Sequence, residues 1–224
     1  TLFELVRPGE PVVAGRVVAS NSVALASLVR RLGGEPLDLG IASDSRDGLA
    51  RSLDGLGAID LLVTTGGASV GDYDLVRSTL GARGLVLDFW TVAMRPGKPL
   101  IFGRLEAVPV LGIPGNPVSA LVCGLVFLRA MLLAMLGRPT ELPVEPLPVA
   151  CDLPANDHRA DHLRAFWVQR DGTRFVAPAE RQDSSMLATL ARADALILRL
   201  PHAPPAEAGA IVPTVPLEAA LRLA

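Results

Sequence analysis

Lysine is almost missing from this chain. Of its 21 basic residues only Lys98 is a lysine, the rest being arginine, against 23 acids. A chain that accepts arginine at every other cationic position and keeps one lysine points to a place where a compact ammonium is needed rather than a planar fork. An excess of charge of either sign is missing too. At a net −2 no broad basic face is expected, which speaks against nucleic acid and anionic membranes as partners. Cysteine is scarce. Cys123 and Cys151 fit no metal-binding or redox spacing, and Cys123, in an apolar segment, reads as a small buried hydrophobe. No signal peptide is read at the start, and the reducing cytoplasm is the expected location. There is no Walker A loop, no G-x-G-x-x-G fingerprint, no nucleophile elbow and no placed Ser-His-Asp set, so none of those chemistries can be claimed.

What is present is length and alternation. The 224 residues, half of them hydrophobic, allow one large domain or a medium one and a small one. In "NSVALASLVRRLGG", Leu25, Leu28, Val29 and Leu32 fall on one helical face, with Gly33-Gly34 as the stop. "PLDLGIAS" is expected as a strand, "RDGLARSLDGL" as a short helix and "AIDLLVTT" as a strand covered on both faces, followed by a helix starting near Asp74. "LDFWTVAM" and "KPLIFGRL" read as strands around an "RPG" turn, and "VPVLGI" as another buried strand. From Pro117 to about Leu136 the pattern predicts a helix capped by Asn116, with Pro117 at its first position and Gly137 and Pro139 ending it. It is long and apolar enough to cross a bilayer, but Arg129 sits inside it, so a helix buried in the core or in a subunit interface is expected.

Beyond "PTELPVEPLPVACDLPAND" the texture turns to β structure. "RAFWVQRDGTRFVAPAE" predicts a hairpin turning at Asp171-Gly172, "ADALILRLP" and "GAIVPTVPL" further strands, and "SSMLATLAR" a short helix. The expected organisation is an α/β domain over residues 1–138 and a small β domain over 139–224. His158 and His162 mimic the spacing of a helical metal pair, but their β-like, proline-rich surroundings argue against it.

Ligands of open α/β sheets bind beyond the carboxyl ends of parallel strands, and the informative residues follow three such strands. Asp44 follows the first, Thr64 to Asp74 the second, and Pro114, Gly115 and Asn116 the third. Gly66, Gly67 and Gly71 would let backbone amides approach an anion, with Thr65 and Ser69 adding hydroxyls. Asp44, Asp72 and Asp74 would suit such a phosphate cradle once Mg²⁺ is added, although Asp72 or Asp74 can equally be a helix cap. In "AMRPGKP", Arg95 and Lys98 flank a stiff turn and could bind an anion together, unless the turn is simply solvated.

"TTGGASVGDYD", "VAMRPGKPLIFG" and "GIPGNPVSA", in that order, resemble the molybdopterin molybdotransferases of the MoeA/gephyrin-E family, and "PGEPVVAGRVVASNS" and "RQDSSMLATLARADALILRL" extend the likeness. The resemblance implies a three-layer α/β/α molybdopterin-binding domain followed by a β-barrel-like domain. It implies insertion of molybdate into adenylylated molybdopterin with release of AMP, using Mg²⁺ or a similar divalent ion. Carried onto this chain, Asp44 and Asp74 match acidic metal and substrate positions, with Glu4 aligned to a family glutamate. Ser69 and its glycines match the nucleotide-phosphate loop. Lys98 matches a family lysine, and Arg95 stands where the family has another. Pro99 and Ser119 match residues near the oxyanion, and Arg164 and Ser185 match an arginine and a serine that help receive molybdate. A homodimer and a MogA-type adenylyltransferase partner are implied too.

The chain departs from the family in Leu2 and Phe3, and the family's two N-terminal domains are not in it, so it is expected to be a fragment or a divergent relative. Two other readings stand beside the transferase. One is a binding or scaffold module that keeps pterin affinity without turnover. The other is a MogA-type adenylyltransferase, against which the long helix and the β domain speak.

Overall fold

The computed structural model describes residues 5–42, 45–54, 57–66 and 79–222. A four-stranded sheet in the order β3-β7-β6-β4 is built from β3 (Leu62–Thr65), β7 (Val108–Ile113), β6 (Pro99–Leu105) and β4 (Leu85–Thr91). β3 and β7 run parallel, and the other two pairings are antiparallel. Period-two alternation sends Leu100, Leu111 and Ile113 to one face and Ile101, Val110 and Leu62 to the other. The first face packs against α1 (Ser20–Arg31) and α3 (Pro117–Met135), and the second against Leu53, just after α2 (Arg46–Ser52), and Leu80 of the helical residues 79–82. Helices thus lie on both faces of the sheet, the three-layer arrangement expected. A short parallel pair, β1 (Leu5–Val6) with β2 (Val17–Val18), precedes α1.

Helix α1 buries Leu25, Leu28 and Leu32, as their spacing requires. It crosses α3 at Gly124, where a Cβ would come within 2.9 Å of a Leu25 methyl carbon and 3.1 Å of one on Leu28. Helix α3 carries a π-helical segment at Gly124–Leu128. It is long and apolar enough to span a membrane, with 56% of its most apolar stretch buried inside the protein. Arg129, only 3% exposed, donates from Nε to the Ala220 carbonyl at 3.0 Å and from one terminal nitrogen to the carbonyls of Thr140 and Glu141 at 3.0 and 3.1 Å. Burial pushes its pKa down, and those carbonyls replace the water the charge has lost.

Three expectations need correction. Residues 36–42 of "PLDLGIAS" form no strand: Asp38 Oδ1 accepts from the Gly40 amide at 2.8 Å, and Gly40 has φ +79°, so a turn interrupts the extended run. "LDFWTVAM" is not one strand. The Val92 amide donates to the Lys98 carbonyl at 3.0 Å, folding the chain back, and β5 (Met94–Arg95) leaves the sheet to pair elsewhere. Asn116 does not cap α3 with its side chain, which reaches across to Ser184 instead. The start of the helix predicted near Asp74 falls outside the described residues.

The second sheet has the path β10-β9-β11-β12-β8, formed by β8 (Glu145–Pro148), β9 (Ala160–Arg170), β10 (Thr173–Pro178), β11 (Ala195–Arg199) and β12 (Ile211–Pro216), antiparallel along this path, with β5 joining it off the path by parallel pairing to β9. The hairpin turns as predicted: Asp171 and Gly172 have φ +47° and +77°, the left-handed pair that its two-residue loop demands. A single parallel bridge from Val149 to Val176 brings the end of β8 back onto β10, wrapping the sheet around Ala165, Val176, Ile197 and Val212. The expected short helix is α4 (Leu187–Arg192), and α5 (Leu217–Ala220) ends the described chain. Leu190, Leu196, Val215 and Ala220 join the core that contains α1 and α3, so the outer face of the β sheet is packed, not free.

Candidate functional site

The parallel pair β3 and β7 ends at one rim. The Gly66 amide continues the ladder by donating to the Ile113 carbonyl at 3.0 Å. Gly115 then passes so close that a Cβ on it would lie 3.2 Å from the Gly66 Cα. Glycine at 115 permits this close approach, and Gly66 has φ +79°, a left-handed backbone that favours glycine. From α1, Asn21 Nδ2 donates to the Gly115 carbonyl at 2.7 Å and fixes the second loop from the side.

Beyond this rim lies an open cleft of about 2370 Å³. Thr65, Gly66, Pro114, Gly115 and Asn116 line its floor, and Ser119 reaches it from the first turn of α3. Lys98 and Pro99 line another wall, and Ser185 contributes from the β domain. Of the site residues read from the sequence, Thr65, Gly66, Lys98, Pro99, Pro114, Gly115, Asn116, Ser119 and Ser185 therefore come together. Lys98 is exposed and makes no ion pair among the described residues. Glu4, Asp44, Gly67, Ser69, Gly71, Asp72 and Asp74 lie outside the described residues. Among the described residues no group of three or more His, Cys, Asp or Glu side chains is placed to hold a metal. His162 lies on strand β9, and burial lowers its pKa.

Two cations are not at the cleft surface. Arg95 points to the β domain, pairing with Asp161 and Asp157. Arg164 is 1% exposed, and its guanidinium donates to the carbonyls of Asp183 and Arg181 at 3.1 and 3.4 Å. It props up the 181–185 loop and is not among the residues that line the cleft. Burial lowers its pKa, opposed by the nearby Asp183 charge. Gln182 ties the same loop down by accepting from the Arg164 amide at 3.0 Å and donating to its carbonyl at 2.9 Å.

Ser185 is held by Asp183, whose Oδ1 accepts from the serine hydroxyl at 2.6 Å and from its amide at 2.8 Å. Those bonds hold the Asp183 carboxyl below the usual carboxylate range. With both donors committed, the Ser185 oxygen can only accept from the cleft unless Asp183 lets go. Ser184 closes the corner. Its carbonyl accepts from the Val118 amide, one of the unpaired donors at the α3 start, at 3.1 Å, and its hydroxyl accepts from Asn116 Nδ2 at 3.1 Å. Asn21, Asp183 and Ser184 were not among the residues picked from the sequence. Their partners are 94, 2 and 68 positions away, and only the short-range Asp-Ser-Ser turn leaves a local signal.

Comparison with known proteins places this geometry. Residues 4–134 match the family described as "Probable molybdopterin binding domain", and residues 146–217 match "MoeA C-terminal region (domain IV)". The chain belongs to the MoeA family. A molybdopterin molybdenumtransferase of Haemophilus influenzae is 35% identical over 136 residues, which is 60% of this chain and 33% of that protein. The molybdenum cofactor synthesis protein cinnamon of Drosophila melanogaster is 30% identical over 217 residues, 94% of this chain and 36% of that protein. The crystal structure of a molybdopterin biosynthesis MoeA protein from Pyrococcus horikoshii superimposes with a TM-score of 0.79 at 25% identity, over 95% of this chain and 51% of the other. The chain thus spans about a third of the length of these two curated relatives and half of the solved one.

Proposed function

We propose that the protein acts in molybdenum cofactor biosynthesis as a molybdopterin molybdotransferase, inserting molybdate into adenylylated molybdopterin and releasing AMP. The observation that carries this is the convergence, in a MoeA-family chain, of the Thr65-Gly66 turn, the Pro114-Gly115-Asn116 turn and Lys98 on one cleft. Lys98 supplies a point charge for an oxyanion or phosphate, and Thr65 and Ser119 supply hydroxyls. The tight backbone floor brings the two anionic reactants together, so catalysis is positioning plus charge compensation, without a covalent protein intermediate. Asp44, Asp74 and Glu4 would hold Mg²⁺, which would offset phosphate charge. Gly67, Ser69, Gly71 and Asp72 complete the nucleotide loop in this reading. A division into domains at 138/139, a homodimer, a MogA-type adenylyltransferase supplying the substrate, and a cytoplasmic location belong to the same proposal.

The test is incubation of the full-length protein with adenylylated molybdopterin, molybdate and Mg²⁺, following AMP. Molybdate-dependent AMP release that stops when Mg²⁺ is chelated is the expected result. Tight binding with no AMP release would favour the pterin-binding module instead.

A further inference from the structure

The "RPGKP" turn carries two cations that face in opposite directions. Backbone pairing fixes the turn first: Met94 and Arg95 run parallel to Ala160 and Asp161 of β9, and the Ala160 amide donates to the Ala93 carbonyl at 2.8 Å. The Val92 amide closes the other side on the Lys98 carbonyl. Gly97, with φ +115°, packs where a Cβ would meet Cys123 Sγ at 2.5 Å, so the turn sits hard against α3. From this frame the Arg95 guanidinium reaches Asp161 with one terminal nitrogen, and Asp157 Oδ2 with the other at 3.4 Å. Asp161 has a side chain only 6% exposed, and its second oxygen has no hydrogen-bond partner among the described residues, so Arg95 is its one close ion-pair partner there, with the Arg159 charge adding to it from farther away. Lys98, three residues on, lines the cleft.

We propose that Arg95 is a positioning residue: through Asp161 it clasps the turn to the β domain and so holds Lys98 over the cleft, leaving Lys98 as the cation of this turn that meets the anion. The kinetic arm of the test rests on the transferase reading, and the exchange arm does not. In the full-length protein, Arg95→Gln and Asp161→Asn are each expected to lower kcat about tenfold, with the KM for molybdate within about twofold of the parent. The double variant is expected to be no worse than the poorer single one, because the Arg95–Asp161 contact is the one both substitutions remove. Arg95→Lys, which keeps one charged contact, is expected to lose only about threefold. Hydrogen exchange at the Val92 and Ala160 amides is expected to quicken in Arg95→Gln and Asp161→Asn alike. A molybdate KM raised tenfold by Arg95→Gln, with Asp161→Asn silent, would make Arg95 a direct ligand and overturn the proposal. So would unchanged exchange at those two amides. If the parent protein releases no AMP, the transferase reading fails and exchange alone decides.

Discussion

The two sides of the cleft are held by different means. On the α/β side the contact is backbone against backbone, Gly66 beside Gly115, with a strand-end amide donating to the Ile113 carbonyl. On the β side the 181–185 loop is held from beneath by side chains: Arg164 on two carbonyls, Gln182 on the backbone of β9, and Asp183 on Ser185. A backbone floor tolerates loss of neighbouring side chains but not the gain of an atom. A propped loop tolerates little loss, because what holds it is a buried charge whose partners cannot turn to water. Each side is therefore vulnerable to a different kind of substitution.

The largest effect is expected from Arg164→Leu. It leaves the carbonyls of Arg181 and Asp183 without their donor, and should cost about 3 kcal/mol in denaturant unfolding, with the 181–185 amides exchanging faster. Gly115→Val attacks the other side by addition. Its branched side chain would run into the Gly66 backbone, and about 2 kcal/mol of destabilisation is expected with exchange near 181–185 unchanged. Asn21→Ala removes one hydrogen bond to the Gly115 carbonyl and should cost about 1 kcal/mol, together with weaker ligand affinity at the cleft.

The smallest effect near neutrality concerns pH. Burial lowers the His162 pKa below its unfolded value of about 6.5, so the folded state prefers the neutral ring. Stability is therefore flat above that value and falls as pH drops through it toward the lowered folded value. Melting temperatures from pH 8 to pH 5 in parent and His162→Gln should diverge only on the acid side, the variant losing less.

How legible was this in the sequence? The helices α1 and α3, the strands β3, β6 and β7 and the hairpin at Asp171-Gly172 were, because hydrophobic period and turn chemistry act over a few residues. "PLDLGIAS" misled because its apolar alternation hides an Asp38-to-Gly40 turn. Thr65-Gly66 and Pro114-Gly115-Asn116 were legible as strand-end motifs, and Lys98 as the single lysine. The directions of Arg95 and Arg164 were not, since an arginine beside a ligand and an arginine beneath a loop look alike in one dimension.

By itself the sequence determined local periodicity, the glycine-bearing strand ends and the single lysine, all of which depend on steric and charge properties carried by each residue. Which cation faces the cleft, and that Asn21 and Ser184 hold one loop from two domains, was decided only in the tertiary structure. Those contacts join positions far apart in the chain, and their strength comes from a burial that exists only once both domains have packed.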